Sequence, residues 1–170
     1  MIFVTPLSRL HETVERSGAR RLVTLLSGTA IVERPPVIEA DHHLTLRVND
    51  IVAPADGMVV PERGHVAELL AFAQAWDRAA PIAIHCYAGI SRSTAAAYIV
   101  AAALAPREDE EALAGRLRAA SPTATPNARL VALADAELGR NGRMIRAIER
   151  IGRGEDAFEG MPFFLPLAES

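Results

Sequence analysis

Apolar residues recur along this chain with two different periods. After Gly18, "RRLVTLLS" (Arg20 to Ser27) is a nearly continuous apolar run, which predicts a strand buried on both faces. Before it, "PLSRLHETVERSG" has the spacing of a helix, with Ser8 as a candidate N-cap and Gly18 as its end. Beyond Pro35 and Pro36, "HHLTLRVND" (His42 to Asp50) sets Leu44, Leu46 and Val48 on one side and Thr45, Arg47 and Asn49 on the other, the alternation of a strand. "APADGMVVP" reads as loop, and "PERGHVAELLAFAQAWDRAA" reads as a helix with Pro61 at its start. Val66, Leu69, Leu70, Ala73 and Trp76 line the apolar stripe of that helix, and Phe72 joins them as core.

"PIAIHC" (Pro81 to Cys86) predicts a third strand, apolar on both faces. A short glycine-containing loop and the helix "SRSTAAAYIVAAAL" follow, and Pro106 stops that helix. "REDEEALAGRLRAA" predicts a solvated helix with opposite charges on neighbouring turns, and "TPNARLVALADAELGR" and "RMIRAIERIG" predict two more. Strands alternating with helices predict an α/β fold: a single domain with a mainly parallel central sheet flanked by helices.

With 170 residues the chain has room for one domain, expected over 1–151. Residues 152–170 form a C-terminal tail in which "MPFFLP" docks on the body or on a neighbouring subunit, or is partly disordered. A formal charge of −3 without a basic stripe argues against nucleic acid. All 18 basic residues are arginine, the usage of a GC-rich bacterial genome. The single cysteine cannot close an internal disulfide, which fits a reducing, cytoplasmic setting. The N-terminus lacks the pattern of a secretory signal, and no apolar run approaches the length of a membrane span.

That cysteine, Cys86, stands at the carboxyl end of a predicted strand, where parallel α/β sheets collect ligands. The loop Tyr87, Ala88, Gly89, Ile90, Ser91 leads into a helix starting near Arg92, so successive backbone N–H groups can converge on one concavity at a helix N-terminus. Gly89 supplies the tolerance of positive φ that a tight loop needs. Arg92 offers a planar fork for two phosphate oxygens, and the same surroundings favour a thiolate. One loop thus joins an anion cradle to a nucleophile.

"HCYAGISRS" resembles the His-Cys-five residues-Arg-Ser/Thr signature of cysteine-dependent protein tyrosine phosphatases, in particular the compact dual-specificity-like branch. The resemblance covers nine contiguous residues, with a weaker likeness from "HLTLRVND" to "TPNARL". It implies a protein tyrosine phosphatase-like fold, no metal and no other cofactor. It also implies attack by Cys86 on a phosphomonoester, with hydrolysis of the resulting phosphocysteine. Arg92 and the loop amides would hold the phosphoryl oxygens, Ser93 would help expel the thiolate, and His85 would support the loop, a role that a buried core histidine also fits. The leaving oxygen needs a general acid. Asp50, directly after "HLTLRVN", is preferred on placement to Asp56 in "PADG". Asn127 matches a loop-stabilising asparagine and equally fits a plain helix N-cap.

With Tyr87, Ala88, Ile90 and Ser91 at the variable positions, the loop lacks basic side chains that would reward a polyphosphate or inositol phosphate. A phosphorylated protein, on tyrosine or on serine/threonine, is therefore the expected substrate. The rival class is a phosphoprotein-binding module without turnover, normally marked by a replaced cysteine or arginine. A rhodanese-type sulfur transferase fits the spacing poorly. His42 and His43 point to opposite faces if both lie on a strand, which argues against a metal site.

Overall fold

The computed structural model describes residues 1–167, and the last three positions of the expected tail lie outside the described residues. Five strands form one sheet: β1 (Ile2–Pro6), β2 (Arg21–Leu26), β3 (His43–Arg47), β4 (Ile82–Cys86) and β5 (Phe163–Leu165), in the order β3-β2-β4-β1-β5. The first four are mutually parallel, and β5 runs antiparallel to β1 with Val4 opposite Phe163 and Ile2 opposite Leu165. This is the α/β architecture with a mainly parallel sheet that the patterning predicts.

Two strands have no counterpart in the periodicity. β5 has only three residues, too short to display a period, and β1, five residues at the start of the sequence, is not among the predicted strands; their pairing identifies both. β5 comes from the stretch read as tail and continues the sheet beyond β1. All five residues of β4 are buried, as its composition predicts.

The sheet has unequal faces. Alternate residues such as Val4, Val23, Ile84 and Cys86 join the main core with α2 (Arg63–Gln74), α3 (Arg92–Leu104), α4 (Glu110–Ala120), α5 (Ala128–Glu137) and α6 (Arg143–Ile151). The opposite side is covered by α1 (Leu10–Ser17), whose Leu10 and Val14 pack with Leu22, Ala83 and Ile38. The alanine-rich α3 is buried from Arg92 to Ala102, because small side chains let it lie close against sheet and helices alike.

Several local expectations are corrected. The helix expected from Pro6 opens as a 3-10 turn at Leu7–Arg9, and Ser8 caps nothing: its Oγ donates to Glu159 at 2.8 Å. Gly18 does end α1, in the left-handed region at φ 67°, where its N–H reaches Val14 O. Pro61 lies before α2, whose N-cap is Glu62 in a reciprocal capping box with His65. Val66, Leu69, Leu70, Ala73 and Trp76 are all buried, whereas Phe72 is half-buried with the Arg21 guanidinium 5.0 Å above its ring. α4 begins at Glu110, not at Arg107, with Asp109 as its N-cap. It is not a fully solvated helix either, because Leu113, Ala114 and Leu117 enter the core. Buried Glu110 receives Arg140 Nη1 and Arg143 Nε at 3.1 Å each.

For the chemistry, the parallel run of four strands decides most. It brings Pro6, Leu26, Arg47 and Cys86 to one edge of the sheet. No helix among the described residues is long and apolar enough to cross a membrane.

Candidate active site

Cys86 ends β4 at that edge, its side chain buried, with Sγ 3.1 Å from Ser93 Oγ on the first turn of α3. Residues 87–91 turn between strand and helix, and their carbonyls are held from outside. Tyr87 O accepts from Leu7 N, Ala88 O from Gly160 N, Ile90 O from Thr125 N and Ser91 O from Asn127 N, at 2.8–3.3 Å. Thr94 Oγ1 adds donations to Ile90 O and Ser91 O.

A trans peptide directs its N–H opposite to its C=O, so carbonyls turned outward aim amides inward. Among the described residues, no N–H of residues 87–92 has a protein acceptor. Arg92 is buried as well: Nη1 donates to Val48 O at 2.9 Å, and Nε has no partner. Buried donors are ordinarily paired, so the buried, unpaired Arg92 Nε beside loop amides without protein acceptors suits a tetrahedral oxyanion.

Gly89 is required twice. Its φ is +71°, and a Cβ there would stand 2.7 Å from Pro6 N and 3.0 Å from Thr5 C, inside the backbone of β1. Tyr87, by contrast, is 60 % exposed and stands at the rim.

Asp50 lies beside this loop. Its Oδ1 accepts from Ser91 Oγ at 2.7 Å and from Asn127 Nδ2 at 2.8 Å. Asn127 fills both of its candidate roles at once, since its Oδ1 also accepts from Leu130 N and caps α5. The segment carrying Asp50 is pinned at its neck, where Asn49 N reaches Val59 O and Val59 N reaches Asn49 Oδ1. Asp56 lies in the exposed far part of that segment, and among the described residues its side chain has no hydrogen-bond partner.

His85 is fully buried on the α1 side of the sheet, and its tautomer follows from its partners. Nδ1–H donates to Cys86 O at 3.3 Å, since a carbonyl only accepts. Nε2 therefore accepts from the Thr24 hydroxyl at 2.8 Å, and Thr24 Oγ1 in turn accepts from His43 Nε2–H at 2.8 Å. Burial pushes the His85 pKa down to about 4; the nearby His43 and Arg92 add to this, and the bond to Cys86 O opposes it. Burial and Arg34 lower that of His43 as well.

An unfolded histidine binds a proton below about pH 6.5, whereas native His85 refuses one until about pH 4. Its contribution to stability is therefore whole above pH 6.5 and shrinks as pH falls toward 4, by about 3 kcal/mol in all. Urea midpoints between pH 7 and 4.5 are expected to fall more steeply for the wild type than for His85→Gln. Parallel falls would show that other groups carry the acid sensitivity.

The larger surface cavity, about 400 Å³, lies among Phe3, Arg9, Met161 and Phe164 and includes no residue of the cysteine loop. A second, about 320 Å³, adjoins the loop at Ile90 and Ser91 and is bounded by Thr125, Arg153 and Asp156. Ligand atoms of exposed Glu39 and Asp41 and half-buried His42 lie within 4.8 Å of one another, at the opposite end of the strands from Cys86. His42 sits in a 3-10 turn before β3, so the two histidines are not on one strand. Sequence reasoning missed Thr24, Pro6 and Gly160, whose contacts depend on distant segments, and Thr94, which bonds the carbonyls three and four residues before it. Thr94 alone carried a signal, following Ser93 directly.

No family model matches this chain, and no curated protein matches it in sequence. Solved structures do. DUSP15 is similar over 91% of this chain and 94% of its own, with a TM-score of 0.66 and 17% identity. The PTP-2 phosphatase of Cydia pomonella is similar over 79% and 84%, with a TM-score of 0.60 and 19% identity. Human DUSP28 is similar over 82% and 92%, with a TM-score of 0.58 and 20% identity. At such identities the likeness establishes the fold, which is that of the dual-specificity phosphatases.

Proposed function

We propose that this chain, built on the dual-specificity phosphatase fold, hydrolyses phosphomonoesters through a phosphocysteine on Cys86. The observation that carries the proposal is the set of unpaired donors, the N–H groups of residues 87–92 and Arg92 Nε, in the turn that directly follows a buried thiol. The Cys86 thiolate attacks phosphorus, and the bond from phosphorus to the leaving oxygen breaks. Loop amides and Arg92 hold the equatorial oxygens while charge redistributes, which makes positioning and electrostatics the main source of rate.

Asp50 gives its proton to the leaving oxygen. Both hydrogen bonds to Asp50 fall on Oδ1, leaving Oδ2 to carry that proton. In the second step Asp50 takes a proton from the attacking water. Water oxygen bonds to phosphorus, the S–P bond breaks, and the Ser93 hydroxyl donates to the departing thiolate from 3.1 Å. His85 and Asn127 act on loop position and do not touch the reacting atoms. No metal or other cofactor takes part in this scheme.

Phosphorylated protein is the substrate class this reading favours, because the loop side chains Tyr87, Ala88, Ile90 and Ser91 bring no extra positive charge. A second reading, phosphoinositide, draws support from likeness to PTPMT1 in complex with PI(5)P, at a TM-score of 0.52 and 13% identity over 89% of this chain. Retention of both Cys86 and Arg92 weighs against a binding module without turnover.

The test is hydrolysis, in the presence of a chelator, of a phosphotyrosine peptide, a phosphoserine peptide and a phosphoinositide. Faster turnover of the phosphoinositide would reverse the substrate assignment, and no turnover of any would sink the proposal. Asp50→Asn is expected to lower kcat on phosphopeptides by roughly 100-fold. Asn keeps the oxygen that accepts from Ser91 and Asn127, so this variant removes the proton and leaves the geometry. Asp56→Asn is expected to stay within about twofold of wild type; the reverse order would move the acid to Asp56.

A further inference from the structure

The C-terminal segment meets the outside of the cysteine loop at Gly160. Its N–H donates to Ala88 O at 2.8 Å. A Cβ on Gly160 would stand 3.1 Å from Gly89 O, 3.2 Å from Thr123 Oγ1 and 3.5 Å from Ile90 Cγ1, although its φ is one that any residue adopts. The segment cannot simply retreat. On one side Gly154 N donates to Thr125 Oγ1 and Glu155 N to Pro122 O; on the other, β5 is paired with β1.

Each contact fixes a peptide plane. Ala88 O shares its plane with Gly89 N–H, and Gly89 O shares its plane with Ile90 N–H. Both carbonyls face Gly160, so both amides face the cradle. On the reading of Cys86 as the nucleophile of a phosphatase, we propose that Gly160 is a positioning residue for the oxyanion cradle. Its N–H and its missing side chain together set the orientation of two of the amides that grip the phosphoryl group. The C-terminal segment is thereby part of the catalytic apparatus, although it contributes no atom to the substrate.

Gly160→Ala tests this. The methyl group displaces either the Gly89 carbonyl or the segment itself by a few tenths of an ångström, and either shift turns the two amides. The variant is expected to fold and to lose about tenfold in kcat on an aryl phosphate. It is also expected to bind tungstate, a tetrahedral oxyanion, more weakly by a similar factor, with altered amide NMR shifts at Gly89 and Ile90. Tungstate affinity of the folded molecules does not depend on how many have folded, so a purely packing role would leave it unchanged. Thr123→Ala/Gly160→Ala gives the methyl group room and is expected to recover part of both losses.

Folded Gly160→Ala with kcat and tungstate affinity within about twofold of wild type would overturn the proposal. So would failure of both variants to fold, which would make Gly160 a packing residue. If the wild type binds tungstate but turns over nothing, the phosphatase reading fails. Affinity and NMR shifts then still decide whether Gly160 sets the cradle.

Discussion

Replacing Cys86 by serine is expected to lower kcat on an aryl phosphate by about 10⁴-fold or more while leaving the fold and oxyanion binding in place. Serine is close in size to cysteine and can still exchange a hydrogen bond with Ser93 Oγ, which lies 3.1 Å from the sulfur. What it lacks is reactivity. Sulfur is intrinsically the stronger nucleophile, and among the described residues no base is bonded to this position to take a serine's proton. Steady-state rates in chelator, together with mass-spectrometric trapping of a phosphoenzyme in the wild type alone, would check this. Full activity in Cys86→Ser would remove the mechanism.

Replacing Arg92 by lysine is expected to cost about 10³-fold in kcat/KM. The guanidinium is buried, with Nη1 spent on Val48 O and Nε unpaired. Its remaining donors form the planar fork that can follow phosphoryl oxygens as they move toward the transition state. An ammonium carries the charge but not the fork, and it cannot hold Val48 O while presenting two donors in one plane. The effect on stability should be far smaller than the effect on rate. A buried, unpaired Nε costs free energy in the native state, so Arg92 is expected to add little to folding. Thermal midpoints measured beside kcat/KM would show the separation, and a comparable fall in both would make Arg92 a structural residue.

The two positions differ in how plainly the sequence announces them. Cys86, Gly89, Arg92 and Ser93 lie within eight consecutive residues, and their relation depends on one strand, one turn and one helix. Local geometry suffices to bring them together. Asp50 was legible only as one of two aspartates on one loop. Its placement rests on Ser91 and Asn127, the latter 77 residues away in sequence. For Asn127 the capping reading and the loop-holding reading turned out to describe one side chain, with Oδ1 serving α5 and Nδ2 serving Asp50. Composition could not separate them because an asparagine has both an acceptor and a donor to use.

Two short strands at the ends of the chain escaped the periodicity, and both touch the site. β1 presses Pro6 against Gly89, and the segment before β5 lays Gly160 on the same loop from outside. A strand as short as the three residues of β5 carries no period, and both strands are defined by hydrogen-bonded partners that sequence spacing does not reveal. The helix expected from Pro6 forms as α1 but starts later, at Leu10, and loses its expected cap for a related reason. Ser8 prefers Glu159, a residue brought near only by the folding of the C-terminal segment.

By itself, then, the sequence determined the alternation of strands and helices, the strand-loop-helix that carries Cys86, and the residue types from which the proposed chemistry is built. These depend on side-chain period and on contacts between near neighbours, which the order of residues encodes directly. Tertiary structure alone decided which aspartate stands at the loop, which tautomer His85 holds through Thr24 and His43, and how the loop carbonyls are turned outward so that the amides turn in. Each of these depends on backbone groups and side chains from segments far apart in the chain, and only the closed sheet brings them to one edge.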